Sequence, residues 1–111
     1  MTALNAEGRA IPLDPEGYLA NLADWSPTVA ALLAEQSGIT LTDDHWEILN
    51  LLRDFYAEFQ LSPSTRPLVK YVTLRLGADK GRSAYLNRLF DGMPAKLGAK
   101  LAGLPKPTNC I

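Results

Sequence analysis

At 111 residues the chain is long enough for one domain with a modest core and too short for an enzyme with a deeply enclosed pocket. Its 47% hydrophobic and 21% charged residues are ordinary for a soluble globular protein; no apolar run approaches a membrane span, and the start lacks the basic-then-apolar pattern of a signal peptide. A single cysteine excludes an internal disulfide framework and suits a reducing cytoplasm, and the net charge of −1 hides an asymmetry: residues 1–60 set Arg9 and Arg53 against ten acids, while residues 61–111 set nine bases against Asp79 and Asp91.

Residues 1–7 carry no periodic pattern and are expected to fray. Arg9 to Leu13 reads as a short strand. Asp14-Pro15-Glu16-Gly17 is a turn signal, with proline pre-set for the second position and glycine free to take positive φ. Tyr18 and Leu19 are expected to begin the returning strand of a small hairpin that leans on helices.

Ser26-Pro27 opens the first helix, serine as cap and proline at a position whose missing donor costs nothing; Val29, Leu32 and Leu33 form its apolar stripe and Gly38 ends it. Trp25, just before the cap, is expected to anchor packing. Thr42 caps a second helix with Asp43 and Asp44 in its first turn, where the helix dipole favours acids. Its core face is Trp46, Leu49, Leu52, Phe55, Tyr56 and Phe59, and as the longest and most aromatic segment it is expected to be central. His45 is the only histidine; without ligand companions or an oriented partner it is assigned a surface or capping role.

Ser62-Pro63 repeats the cap-plus-proline device and is expected to open a third helix, with Leu68, Tyr71, Val72 and Leu76 inward and Gly77 as its stop. The short gap between these helices also permits a helix-turn-helix reading, with Arg66, Lys70 and Arg75 outward. A pI near 5.7 is not the footprint of a phosphate binder, and DNA is not expected as a partner. Ser83 caps a short helix through Phe90, Asp91-Gly92 breaks it, and Pro94 opens a last helix to Ala102, weakened by about 1 kcal/mol at Gly98 relative to alanine.

Gly103 and Pro105 then launch an arm, residues 103–111, that ends in Pro107-Thr108-Asn109-Cys110-Ile111. Alternating prolines forbid helix, so residues 104–111 are expected to be mobile or held by shallow contacts, with Leu104 and Ile111 the points of docking. A thiol on such an arm is able to enter a partner's cleft, which a core cysteine cannot do. Lys106 favours the Cys110 thiolate and a neighbouring terminal carboxylate opposes it, so strong activation in the free protein is not expected. Lys100 and Lys106, and less directly Arg66 and Arg82, are candidates for guiding the arm to an acidic partner or to tRNA phosphates.

The run Lys100-Leu101-Ala102-Gly103-Leu104-Pro105-Lys106-Pro107-Thr108-Asn109-Cys110-Ile111 resembles the carboxyl-terminal arm of the TusE/DsrC/DsvC sulfur-carrier family. So do Gly17 to Trp25, Leu41-Thr42-Asp43-Asp44-His45-Trp46, and Leu61-Ser62-Pro63 with Arg66: four separated blocks in order, over nearly the whole chain. The resemblance implies a persulfide carrier with Cys110 as the covalent residue, a sulfurtransferase-type carrier and not an enzyme with a conventional active site. DsrC proper carries a second cysteine at the position of Ala99; its absence favours the single-cysteine TusE branch. That branch implies a TusBCD-like sulfur donor and an MnmA-like tRNA thiouridylase, with tRNA, as acceptor, and neither metal nor cofactor. A single-cysteine DsrC relative of dissimilatory sulfur metabolism and a helix-turn-helix regulator are the alternatives. The expected fold is mainly α: an amino-terminal segment 1–25 with a small hairpin, a helical core 26–102 and the arm 103–111.

Overall fold

The computed structural model describes residues 2–107. Two antiparallel strands, β1 (Thr2–Ala6) and β2 (Arg9–Leu13), lead into five helices: α1 (Pro27–Gln36), α2 (Asp43–Phe59), α3 (Thr65–Leu76), α4 (Ser83–Leu89) and α5 (Pro94–Leu101). The mainly helical fold with a small hairpin is as the sequence predicts, and among the described residues no helix is long and apolar enough to cross a membrane.

The hairpin pairs different residues from those expected. β2 forms its ladder with residues 2–6, in the register Leu4↔Ile11 and Ala6↔Arg9, and meets the expected Tyr18-Leu19 segment only at one bridge. Glu7 and Gly8 both take positive φ, 54° and 79°, the mark of a type I′ turn whose twist suits a two-residue hairpin. Leu4, Ala6, Ile11 and Leu13 all point to the core, so β1 is held by burial as well as by its ladder. On the other edge of β2 the pairing stops at a single Leu13↔Leu19 bridge. There the Pro12 carbonyl accepts from the Ala20 amide, but the Pro12 nitrogen on the same side has no hydrogen to return. The Asp14–Gly17 turn forms as predicted: Gly17 N–H donates to the Asp14 carbonyl, and the Asp14 carboxylate accepts from the amides of Glu16 and Tyr18.

α1 begins as read, with Ser26 Oγ accepting from the Val29 amide and Pro27 at the first position. α2 buries Ile48, Leu49, Leu51, Leu52 and Phe55 along its core face. Trp46 is only half-buried and Phe59 stands 48% exposed, so the expected stripe is displaced toward the aliphatic positions. Phe55 and Phe59, with ring centroids 4.6 Å apart, close the α2–α3 corner against Tyr71, which meets Phe55 edge-on at 5.1 Å.

Three local readings require correction. Residue Ser64, not Ser62, is the N-cap of α3. Arg82, not Ser83, occupies the N-cap position of α4, and Ser83 is its first helical residue. The arm is not shallowly held over its described part: Leu104 and Pro107 are buried, while Pro105 and Lys106 face outward. The rest of the arm, with Cys110 and Ile111, lies outside the described residues. α5 packs against α1, α2, α3 and α4. Gly98 makes the α2 contact possible, because a Cβ there would come within 2.9 Å of Leu52 Cδ1.

Candidate functional site

The only cysteine, Cys110, falls outside the described residues, so the structure speaks to the platform that carries it. That platform begins where α5 ends. Gly103 takes φ 76°, the Leu104 amide donates back to the Ala99 carbonyl and the Gly103 amide to Lys100, which together make a Schellman stop. The reversal turns Leu104 into the core, where it is 3% exposed. Expected as a docking point, Leu104 is one.

Contacts from other parts of the chain fix this root. The Trp25 indole N–H donates to the Leu101 carbonyl at 2.9 Å, and Arg53 Nη1 donates to the Ala102 carbonyl at 2.7 Å. The Arg53 guanidinium lies 3.9 Å from the centre of the Trp25 ring, close enough for a cation–π contact. Burial lowers the pKa of this guanidinium from its usual value, because a desolvated charge is disfavoured. Further along, Ser62 Oγ donates to the Pro105 carbonyl. Lys106 Nζ lies 2.8 Å from a carboxylate oxygen of Glu16.

The predicted basic residues divide into two groups. Lys100 and Lys106 converge on the Asp14–Tyr18 turn: Lys100 Nζ sits 5.2 Å from the centre of the Tyr18 ring, beside Gly17, and Lys106 pairs with Glu16. Arg66 lies in the first turn of α3 and Arg82 at the start of α4, both exposed and on different elements from the lysines. Between the groups, a groove of about 530 Å³ is lined by Thr65, Ser83, Asn87, Met93 and Lys96, among others. A smaller one, about 120 Å³, is lined by Glu16, Tyr18, Lys96 and Lys100, among others. Lys96 borders both grooves and was missed; its four-residue spacing from Lys100 on one helix was a usable signal. Ser62 was misread as a cap, and Arg53 carried no signal, since its carbonyl partner lies 49 positions away.

His45 does cap, but it is buried and not on the surface. The Thr42 amide donates to Nδ1 at 3.1 Å, and the Leu89 carbonyl, 2.7 Å from Nε2, requires the hydrogen there. A ring with both nitrogens so engaged is structural. Among the described residues no three His, Cys, Asp or Glu side chains gather as a metal site requires.

Comparison with known proteins gives this platform its relatives. Residues 5–111 match the family described as "DsrC like protein". The chain is 54% identical over 108 residues to the Sulfurtransferase TusE of Yersinia pestis, covering 97% of this chain and 99% of that one. It is 50% identical over 105 residues to the Sulfurtransferase TusE of Escherichia coli K12, covering 95% and 96%. Among solved structures, the NMR structure of Allochromatium vinosum DsrC superposes with a TM-score of 0.89 at 47% identity, covering 98% of this chain and 97% of that one. The oxidized gamma-subunit of the dissimilatory sulfite reductase (DsrC) from Archaeoglobus fulgidus gives 0.85 at 35%, covering 99% and 100%. A match over all but the first four residues, in sequence and in fold, places this chain in the DsrC-like family.

Proposed function

We propose that the protein is a sulfur carrier of the TusE type, with Cys110 as the residue that holds the sulfur. The observation that supports this most is the full-length likeness to Sulfurtransferase TusE proteins, in a chain whose one thiol follows a firmly rooted arm. A donor persulfide is attacked at its outer sulfur by the Cys110 thiolate. A new S–S bond forms to Sγ, the donor's S–S bond breaks, and the donor departs as thiolate with the electron pair. An acceptor thiolate then attacks the outer sulfur of the Cys110 persulfide, which leaves with its proton and returns Cys110 to thiolate. Each step exchanges one S–S bond for another, so no external oxidant or reductant enters.

In this reading the donor is a TusBCD-like complex and the acceptor an MnmA-like thiouridylase that places sulfur on the wobble uridine of tRNA, in the cytoplasm. Lys100 and Lys106, with Arg66 and Arg82 at the periphery, present positive charge to these partners. The dissimilatory alternative is less well supported. Position 99, where DsrC proper carries its second thiol, is a fully buried alanine.

Two measurements test the proposal. Mass spectrometry after incubation with a cysteine desulfurase relay should show a gain of sulfur on Cys110 that Cys110→Ser lacks. A strain carrying Cys110→Ser should lose 2-thiouridine from its tRNA while the variant stays folded and present. Wild-type thiolation in that strain would sink the tRNA relay.

A further inference from the structure

The end of a helix leaves its last carbonyls without partners inside the helix, and most find water or a glycine turn. At the end of α5 the carbonyls of Leu101 and of the cap residue Ala102 are met by side chains from distant segments, Trp25 ahead of α1 and Arg53 in the middle of α2. The two donors also hold each other, with the guanidinium stacked 3.9 Å above the indole. The same indole fills the space a Cβ would need at Gly103, the first residue of the arm. Helix end, donors and exit glycine form one joint, and the arm leaves through it.

Holding the Ala102 carbonyl calls for a donor, but not for arginine in particular. A half-buried guanidinium carries a desolvation cost, which an apolar side chain would avoid only by leaving the Ala102 carbonyl without its donor. What arginine adds is direction: a planar group that stacks on a ring and donates along a fixed angle, which neither lysine nor an alkyl chain does. Resting on the carrier reading above, we infer that Arg53 and Trp25 are positioning residues for sulfur transfer: by gripping the Leu101 and Ala102 carbonyls they set the direction in which the arm leaves α5, and so where Cys110 meets a protein partner. Neither residue touches the reacting sulfur; both act through the backbone.

The test uses the full chain as Arg53→Lys and Trp25→Phe, the second keeping a ring beside Gly103 while deleting the indole donor. Each variant is loaded at Cys110 from glutathione persulfide, a donor that needs no docking, and separately from the persulfidated TusBCD-like complex, with kcat and KM resolved. Loading from the small donor is expected to match wild type, while kcat with the protein donor falls about 10–100-fold and KM changes little, the signature of misplaced reacting groups. Wild-type kcat with the protein donor in both folded variants overturns the inference. So does an equal fall with both donors, which would place the effect on the thiol itself, and so does unfolding of both variants at the assay temperature, which would make the pair purely structural. Failure of wild type to take sulfur on Cys110 from either donor would instead overturn the carrier reading.

Discussion

Single residues set how the arm begins. Gly103 and Gly92 both take positive φ, 76° and 80°, but only Gly103 faces an obstacle, since an added Cβ would overlap Trp25 while nothing lies within 4 Å at Gly92. Gly92→Ala carries only the backbone strain of the left-handed region, about 1 kcal/mol. Gly103→Ala adds overpacking and should cost about 2–4 kcal/mol in all. Urea unfolding of the two variants side by side checks this; equal losses would mean that the Trp25 contact gives way freely. The glycine stops at Gly38, Gly77, Gly92 and Gly103 were legible because positive φ leaves a signature in the residue itself. His45 was half legible: its capping role follows from its place in the first turn, but its burial depends on a Leu89 carbonyl 44 residues away. No local pattern encodes that.

Between elements, local and distant signals compete, and the outcomes separate cleanly. Ser26-Pro27 behaves as its local sequence says, because the Ser26 hydroxyl accepts from the Val29 amide while donating its own hydrogen to Glu7, so its distant partner does not compete with the cap. Ser62-Pro63 offers the same dipeptide signal, yet Ser62 donates to Pro105 and Pro63 is buried, so the helix starts two residues later. The hairpin was misplaced for a related reason. The Asp14–Gly17 signal is strong and real, but the pairing that follows it fails at Pro12, while the weaker Glu7-Gly8 turn succeeds because its strand has a buried face. If Ser62 pins the arm as the geometry indicates, Ser62→Ala should weaken that contact by about 1 kcal/mol, the typical net worth of one such bond. The expected readout is local: amide exchange at Leu104 accelerates about 5-fold, while the slowest-exchanging core amides of α2 shift far less. Unchanged protection at Leu104 would show that burial alone holds the arm root.

For the molecule as a whole, the charge asymmetry in the sequence takes a spatial form. Lys106 on the arm and Lys100 at the end of α5 sit against the same acidic turn, and Lys96, one helical turn before Lys100, lines the groove beside it. The Lys106–Glu16 pair is about half exposed at both ends and contributes little to stability, so substitution there reads out binding more than folding. Neutralising Lys100→Gln and Lys106→Gln together avoids placing a second carboxylate beside Glu16. Association with an acidic donor surface should slow about 10-fold at low ionic strength, and its salt dependence should flatten, with the thermal midpoint little changed. Stopped-flow association across a salt series checks this; identical rates and slopes would reduce the asymmetry to a solubility feature.

The docked arm root also sets a limit on how transfer is organised. With Leu104 and Pro107 buried and Ser62 on Pro105, the chain is anchored as far as Pro107, and Cys110 is only three residues further along the sequence. Covalent geometry caps the distance between the Pro107 and Cys110 α-carbons at roughly 11 Å. On the proposed relay, a donor and an acceptor that each reach Cys110 would both have to approach the ground around Pro107. On the carrier reading proposed above, the protein leaves its donor before it meets its acceptor, and an excess of empty acceptor should slow loading by occupying the same ground.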